Sequence, residues 1–177
     1  MAESPKDDKP KDASAAEKAL DKAADKPVKK AEPPAPEKPK FDPTKETIVV
    51  AEDSSPNRNI LVHLLKKLNY QVLEGVDGEA ALAAMDTHKD AKIVAVLSDV
   101  MMPNLNGIDL LKKVRESSTF KTLPFVLITA VADKEYIIEA KKLGVNGYIL
   151  KPVTFDRVLG KLKELFPEKK FPNLKPQ

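Results

Sequence analysis

Cysteine and tryptophan are absent from this 177-residue sequence, histidine occurs twice and glycine only six times. Without cysteine there can be no disulfide, thiolate metal site or thiol nucleophile. Two histidines with no HExxH spacing argue against a zinc enzyme. Neither GxxxxGK[ST] nor GxGxxG occurs, so no glycine-rich loop cradles the phosphates of a nucleotide or FMN. Instead the glycines are scattered, with Gly78, Gly107 and Gly144 at expected helix boundaries and Gly147 in a turn before the last apolar run. No stretch approaches 18 apolar residues, which excludes a transmembrane helix. The start, Met-Ala-Glu-Ser-Pro-Lys-Asp-Asp, carries acids and lacks the apolar run of a signal peptide. The expectation is a soluble, cytoplasmic protein with no membrane insertion.

Charge is scarce in one respect: the formal net charge is only +3. Residues 1–46 contain 11 Lys and 11 acidic residues, so they contribute nothing to it. They also hold eight of the 15 Pro, no Gly and one aromatic residue, Phe41. Such a segment cannot bury enough apolar surface to offset its ordering entropy, and the reading is a disordered Lys/Ala/Pro/Asp/Glu-rich tail acting as tether or spacer. A neutral segment offers no net cationic surface for phosphates, so no DNA partner is expected.

From Thr47 the texture changes. Apolar runs at 48–51, 72–73, 93–97, 125–128 and 148–150 alternate with segments of helical period. Near-continuous apolar runs suit strands covered on both faces, hence a parallel sheet. Between the first two, Leu61, Leu64, Leu65 and Leu68 recur at i, i+3, i+4 and i+7, marking an amphipathic helix. Pro56 suits its first turn, after the candidate caps Ser54 and Ser55. Helices are further expected at about 78–86, 107–116, 133–142 and 154–165. Five such units make an α/β, doubly wound domain at 47–167, followed by a short C-terminal tail at 168–177.

Ligands of such sheets bind outside the carboxyl ends of the strands. The residues there are Glu52 and Asp53 after the first run, Asp99 after the third, Thr129 after the fourth and Lys151 after the fifth. A lone Asp after a strand is usually a helix cap. Three converging carboxylates repel one another unless a cation or shifted pKa values offset the repulsion. With no soft ligand nearby, the cation should be hard and oxygen-bound, which favours Mg²⁺. Lys151 on the same rim suggests an anion, such as a phosphoryl group, as second occupant. His63 and His88 are read as solvated surface residues, so a phosphohistidine donor would belong to another protein.

These residues carry a family resemblance. Val-Val-Ala-Glu-Asp-Ser (49–54), Ser-Asp-Val-Met-Met-Pro-Asn-Leu-Asn-Gly (98–107), Ile-Thr-Ala (128–130) and Gly-Tyr-Ile-Leu-Lys-Pro (147–152) resemble the receiver domain of bacterial two-component response regulators. Lys134 to Ile138 is similar to the start of the fourth helix in the single-domain chemotaxis members, the CheY type. The resemblance covers about 120 residues, with its motifs in order. It implies a flavodoxin-like (βα)5 fold with strand order 2-1-3-4-5, an order that CheY itself exemplifies.

The resemblance also implies site roles. Asp99 would be the phosphoacceptor. Mg²⁺ would be held by Asp53, Asp99, the backbone carbonyl of Met101 and Glu52, where many members have Asp. Thr129 would bond a phosphoryl oxygen and Lys151 would pair with it. Thr129 and Tyr148 would form a switch that alters the face of helix 4, strand 5 and helix 5. Tyr136 and Ile138 are candidates for that face, either exposed on it or packed beneath it. The implied function is a response regulator and phosphoprotein, not an enzyme. It would accept phosphate from a histidine kinase or histidine phosphotransfer protein and bind a protein target, such as a flagellar motor switch component. A phosphate relay or sink with the same active site is the alternative. Only 11 residues follow Phe166, so no DNA-binding output domain is expected. Met101 and Val131 are apolar where the family tunes access of hydrolytic water, so slow self-dephosphorylation is expected.

Overall fold

A computed structural model describes residues 41–130 and 134–172. In chain order the elements are β1 (Thr47–Ala51), α1 (Ser55–Lys67), β2 (Gln71–Gly75), α2 (Gly78–Thr87), β3 (Ile93–Asp99), α3 (Gly107–Glu116), β4 (Phe125–Thr129), α4 (Lys134–Lys142), β5 (Gly147–Leu150) and α5 (Phe155–Leu165). All strand pairs are parallel, in the order β2-β1-β3-β4-β5. This is the expected flavodoxin-like sheet. The order reverses between β1 and β3, the point at whose carboxyl ends sheets of this kind bind their ligands.

The apolar runs read as continuous because each strand feeds two cores in alternation. Val49, Ala51, Val96, Phe125 and Leu127 point into one layer with Met85, Leu110, Leu111 and Val114 from α2 and α3. Ile48, Val50, Ala95, Leu97, Val126 and Ile128 point into the other, with Leu61, Leu65, Val158 and Leu162 from α1 and α5. Every residue of β1 is buried. The edge strand β2 is less so, with Glu74 exposed. No helix among the described residues is long and apolar enough to cross a membrane.

Local signals set the element ends. Asp77, Asn106 and Thr154 cap α2, α3 and α5 with side-chain oxygens that accept backbone N–H groups. Ser54 stands at the cap position of α1 without a side-chain bond, and Pro56 occupies the first turn as expected. Gly144 follows α4 with φ at 73°, a conformation that costs glycine little.

Of the expected tail, residues 1–40 lie outside the described residues, as do 173–177 of the C-terminal one and Val131. The flanks that are described pack on the domain. Asp42 N–H donates to Gln71 Oε1 at 3.0 Å, and Lys92 N–H donates to the Pro43 carbonyl at 3.2 Å. Lys169 forms an ion pair with Glu46, and its ammonium lies 3.9 Å from the centre of the Tyr70 ring. Phe171 packs against the α1/α5 core. His63 is exposed, as read from the sequence. His88 is not: it is half-buried, its ring centre 4.6 Å from that of Phe41 and its Nδ1 3.0 Å from the Ala84 carbonyl. Phe41 lies in a stretch whose composition predicts no packing, and so its contact with His88 was not foreseeable.

Candidate functional site

Strand register brings the expected residues to one rim. Ala51 pairs with Ser98, so Glu52 follows β1 beside Asp99, the last residue of β3. Asp99 pairs with Ile128, which puts Thr129 one step beyond it at the end of β4. Thr129 pairs with Leu150, and the Lys151 N–H donates to the Thr129 carbonyl at 2.7 Å. Ligand atoms of Glu52, Asp53 and Asp99 lie within 4.8 Å of one another.

Glu52 is fully buried, Asp99 is 6% exposed and Asp53 is exposed. The Lys151 ammonium donates to Asp99 Oδ2 at 2.6 Å and to Glu52 Oε1 at 3.3 Å. It also lies 3.1 Å from Glu52 Oε2, but without hydrogen-bonding alignment, so that oxygen is buried and lacks a hydrogen-bond partner among the described residues. Burial first, and the Asp99 charge second, push the Glu52 carboxyl above its ordinary value, opposed by Lys151 and Asn57. Burial works against the Lys151 ammonium, yet its bond to Asp99, the Asp99 charge and then Glu52 outweigh it and hold its pKa up.

Backbone and side chains around the acids are held from several directions. Asn57 Nδ2 donates to Glu52 Oε1 at 3.3 Å, and an Arg58 N–H donates to the Glu52 carbonyl at 2.8 Å. A Cβ added to Gly107 would lie 2.1 Å from the Asp99 carbonyl oxygen, so only glycine permits this approach of α3 to β3. Asp77 Oδ2 accepts from Asn104 Nδ2 at 2.6 Å, tying the loop after Asp99 to the start of α2.

A cavity of about 350 Å³ opens beside the acids, lined by Asp99, Val100, Met101, Thr129, Ala130, Tyr136 and Lys151. The Met101 side chain is 63% exposed. Tyr148 is half-buried, and its hydroxyl donates to the Ile137 carbonyl of α4 at 3.2 Å; burial raises its pKa. Ile138 is exposed, whereas Tyr136 is half-buried and borders the cavity. Sequence reading did not single out Asn57, Arg58, Asp77, Asn104 or the cavity position of Tyr136. The only signal was the cap pattern Asp77-Gly78, which marks a helix start and says nothing of a partner 27 residues on.

The family model of the response regulator receiver domain matches residues 48–163. The chain belongs to that family. A chemotaxis protein CheY1 of Helicobacter pylori is 43% identical over 108 residues, which are 60% of this chain and 86% of that protein. A chemotaxis protein CheY-3 of Vibrio cholerae is 40% identical over 119 residues, 67% of this chain and 90% of that protein. The solved structure of CheY4 from Vibrio cholerae superposes with a TM-score of 0.62 at 30% identity, covering 69% of this chain and 98% of that one. The chain is thus a CheY-like receiver domain, in a family of signalling proteins rather than classical enzymes.

The acidic pocket of receiver domains generally takes Mg²⁺, and the residues here fit such an ion. The donors are carboxylate oxygens with no soft ligand among them, and the buried Glu52 Oε2 has the Lys151 ammonium 3.1 Å away but no hydrogen-bond partner among the described residues.

Proposed function

We propose that the chain is a response regulator of the single-domain CheY type that accepts a phosphoryl group on Asp99 and signals to a protein target. The observation that carries this reading is the meeting of Glu52, Asp53 and Asp99 with Lys151, whose ammonium lies 2.6 Å from Asp99. A structural ion pair needs one acid per cation. Three acids around one ammonium, one of them fully buried, suit a site built to receive additional positive charge.

Glu52, Asp53, Asp99 and the Met101 carbonyl would hold Mg²⁺, which when bound supplies charge neutralisation for the phosphoryl oxygens. Asp99 attacks phosphorus in line; the phosphorus–nitrogen bond of a donor phosphohistidine breaks as the bond to Asp99 oxygen forms. The leaving imidazole takes up a proton as it departs. Lys151 turns from the Asp99 carboxylate to an oxygen of the transferred group, and Thr129 hydrogen-bonds another. Ala130, beside Thr129 in the cavity wall, leaves the space the phosphoryl group needs. The donor is a histidine kinase or histidine phosphotransfer protein.

The readout couples Thr129 to Tyr148. Its hydroxyl bond to the Ile137 carbonyl ties the ring to α4. An inward turn of the ring breaks that bond and alters the α4-β5-α5 face, where Ile138 is exposed. The relatives named chemotaxis proteins support a flagellar switch component as the target and a cytoplasmic location.

Phosphorylation by a small phosphodonor with Mg²⁺ tests the reading. Labelling of the wild type that disappears in Asp99→Ala is expected, and unchanged labelling in Asp99→Ala overturns it. Capture of a target only by the phosphorylated chain separates a signalling regulator from a relay or sink.

A further inference from the structure

The loop that leaves Asp99 is pinned at three points. At its base Val100 N–H donates to the Ile128 carbonyl at 3.1 Å, and Gly107 N–H closes back on the Val100 carbonyl at 2.9 Å. On its far side Gly78 N–H donates to the Leu105 carbonyl at 3.0 Å. The third point is a side-chain bond between this loop and the cap of α2: Asn104 Nδ2 to Asp77 Oδ2 at 2.6 Å. Asp77 is 6% exposed and uses both oxygens, since Oδ1 caps α2 by accepting from Ala80 N–H at 2.8 Å. Asn104 holds a left-handed backbone, φ 59°, which an asparagine tolerates better than most residues. Met101, three residues before Asn104, lies on this loop.

We infer that Asp77 and Asn104 act as positioning residues for the metal site, latching the loop of Met101 to the N-terminus of α2. The inference rests on the reading of Glu52, Asp53, Asp99 and Met101 as the Mg²⁺ ligands. A backbone ligand is as rigid as the loop that carries it, and Met101 has an exposed side chain that gives the loop no anchor of its own. Groups that orient metal ligands without touching the metal commonly govern affinity by about ten- to a hundredfold. Asp77 is placed to do so: its carboxylate ties a helix start to the loop, and any drift of the loop must break a short bond to a buried acceptor.

Two variants of the full chain separate this role from a structural one. Asn104→Gly removes the amide while suiting the left-handed backbone. The exchange Asp77→Asn with Asn104→Asp reverses donor and acceptor and keeps the charge of the pair. Mg²⁺ dissociation constants are measured by isothermal titration calorimetry, with thermal unfolding of the metal-free proteins alongside. Asn104→Gly is expected to bind Mg²⁺ about tenfold more weakly, and the exchange to recover affinity to within about threefold of wild type. Affinity within about twofold of wild type in Asn104→Gly overturns the latch. Weakened binding that merely tracks a lowered unfolding temperature, with no recovery in the exchange, overturns it too. A wild type that takes up no Mg²⁺ overturns the phosphoacceptor reading, and the latch with it; wild-type binding that is intact while Asn104→Gly is unaffected overturns the latch alone.

Discussion

Lys151 Nζ lies 2.6 Å from Asp99 Oδ2 and 3.1 Å from Glu52 Oε2, so one ammonium serves two carboxylates across the carboxyl end of the sheet. The Lys151 side chain is 21% exposed and Glu52 is fully buried. The ammonium therefore offsets a repulsion that water cannot screen. An added divalent cation and Lys151 would share the same negative charge.

Lys151→Met is expected to lower the stability of the metal-free protein by about 2 kcal/mol, because two neighbouring carboxylates lose their counter-charge. Mg²⁺ should then raise the unfolding temperature of Lys151→Met by more than that of the wild type, since binding to the folded state alone stabilises by mass action. Labelling by a small phosphodonor should fall about 100-fold, the usual scale for loss of one charge-stabilising donor. An equal Mg²⁺ response in both proteins shows that Lys151 does not share charge with the ion.

Gly107→Ala tests how tightly the Asp99 backbone is held. The added methyl group would sit 2.1 Å from the Asp99 carbonyl oxygen and 3.0 Å from Ser98 Oγ. The nearer neighbour is backbone and the other is a buried hydroxyl that donates to that same carbonyl, so β3 and α3 must separate. A loss of about 3 kcal/mol is expected, at the upper end of overpacking costs. Chemical denaturation checks it; a loss below about 1 kcal/mol would show that the helix gives way easily.

The strands and the rim were legible because burial on both faces leaves a simple trace. The apolar runs of β1, β3 and β4 are nearly unbroken, and they end abruptly at the polar residues Glu52, Ser98 and Thr129. β2 was faint, with only Val72 and Leu73 to mark it, because an edge strand with Glu74 exposed has little to bury. The supports of the site left no trace. Asn57 beside Glu52 reads as an ordinary polar helix residue, and the bond of Asn104 to Asp77 depends on a loop path that no periodicity encodes. Glu46 and Lys169, 123 residues apart, lie among so many charges that nothing marks them as partners.

Met101 is exposed at the edge of the Asp99 cavity, and its thioether, a weak acceptor with no donor, binds and orients water poorly. The aspartyl phosphate should therefore decay slowly. Met101→Gln supplies an amide that can hold a water in line, and is expected to speed decay about tenfold, below the range of full acid–base catalysis. The half-life of the labelled protein after donor removal measures this. Decay that is equal in the two proteins removes Met101 from control of the lifetime.

The Glu46–Lys169 pair joins the two flanks of the domain at the start of β1, against Tyr70. Its bond to Lys169 holds the Glu46 carboxyl below its ordinary value, against a smaller effect of burial and with help from Lys92. A depressed acid contributes stability above its unfolded value and loses it as pH falls through the folded one. Burial opposes the Lys169 charge, but Glu46 and then Tyr70 outweigh it and raise its pKa. That contribution is complete below the unfolded value of Lys169 and is lost as pH rises through the folded one. The pair thus stabilises the fold across neutral pH. Lys169→Met should cost about 1 kcal/mol near pH 7 for a partly exposed pair with a cation–π contact, or about 3 °C in unfolding temperature. As pH falls through the lowered range of Glu46 its carboxylate is protonated in the wild type too, so the gap between the two proteins should narrow. A gap as wide at about pH 3 as at pH 7 would mean that the Lys169 ammonium over the Tyr70 ring, rather than its pair with Glu46, holds the flanks together.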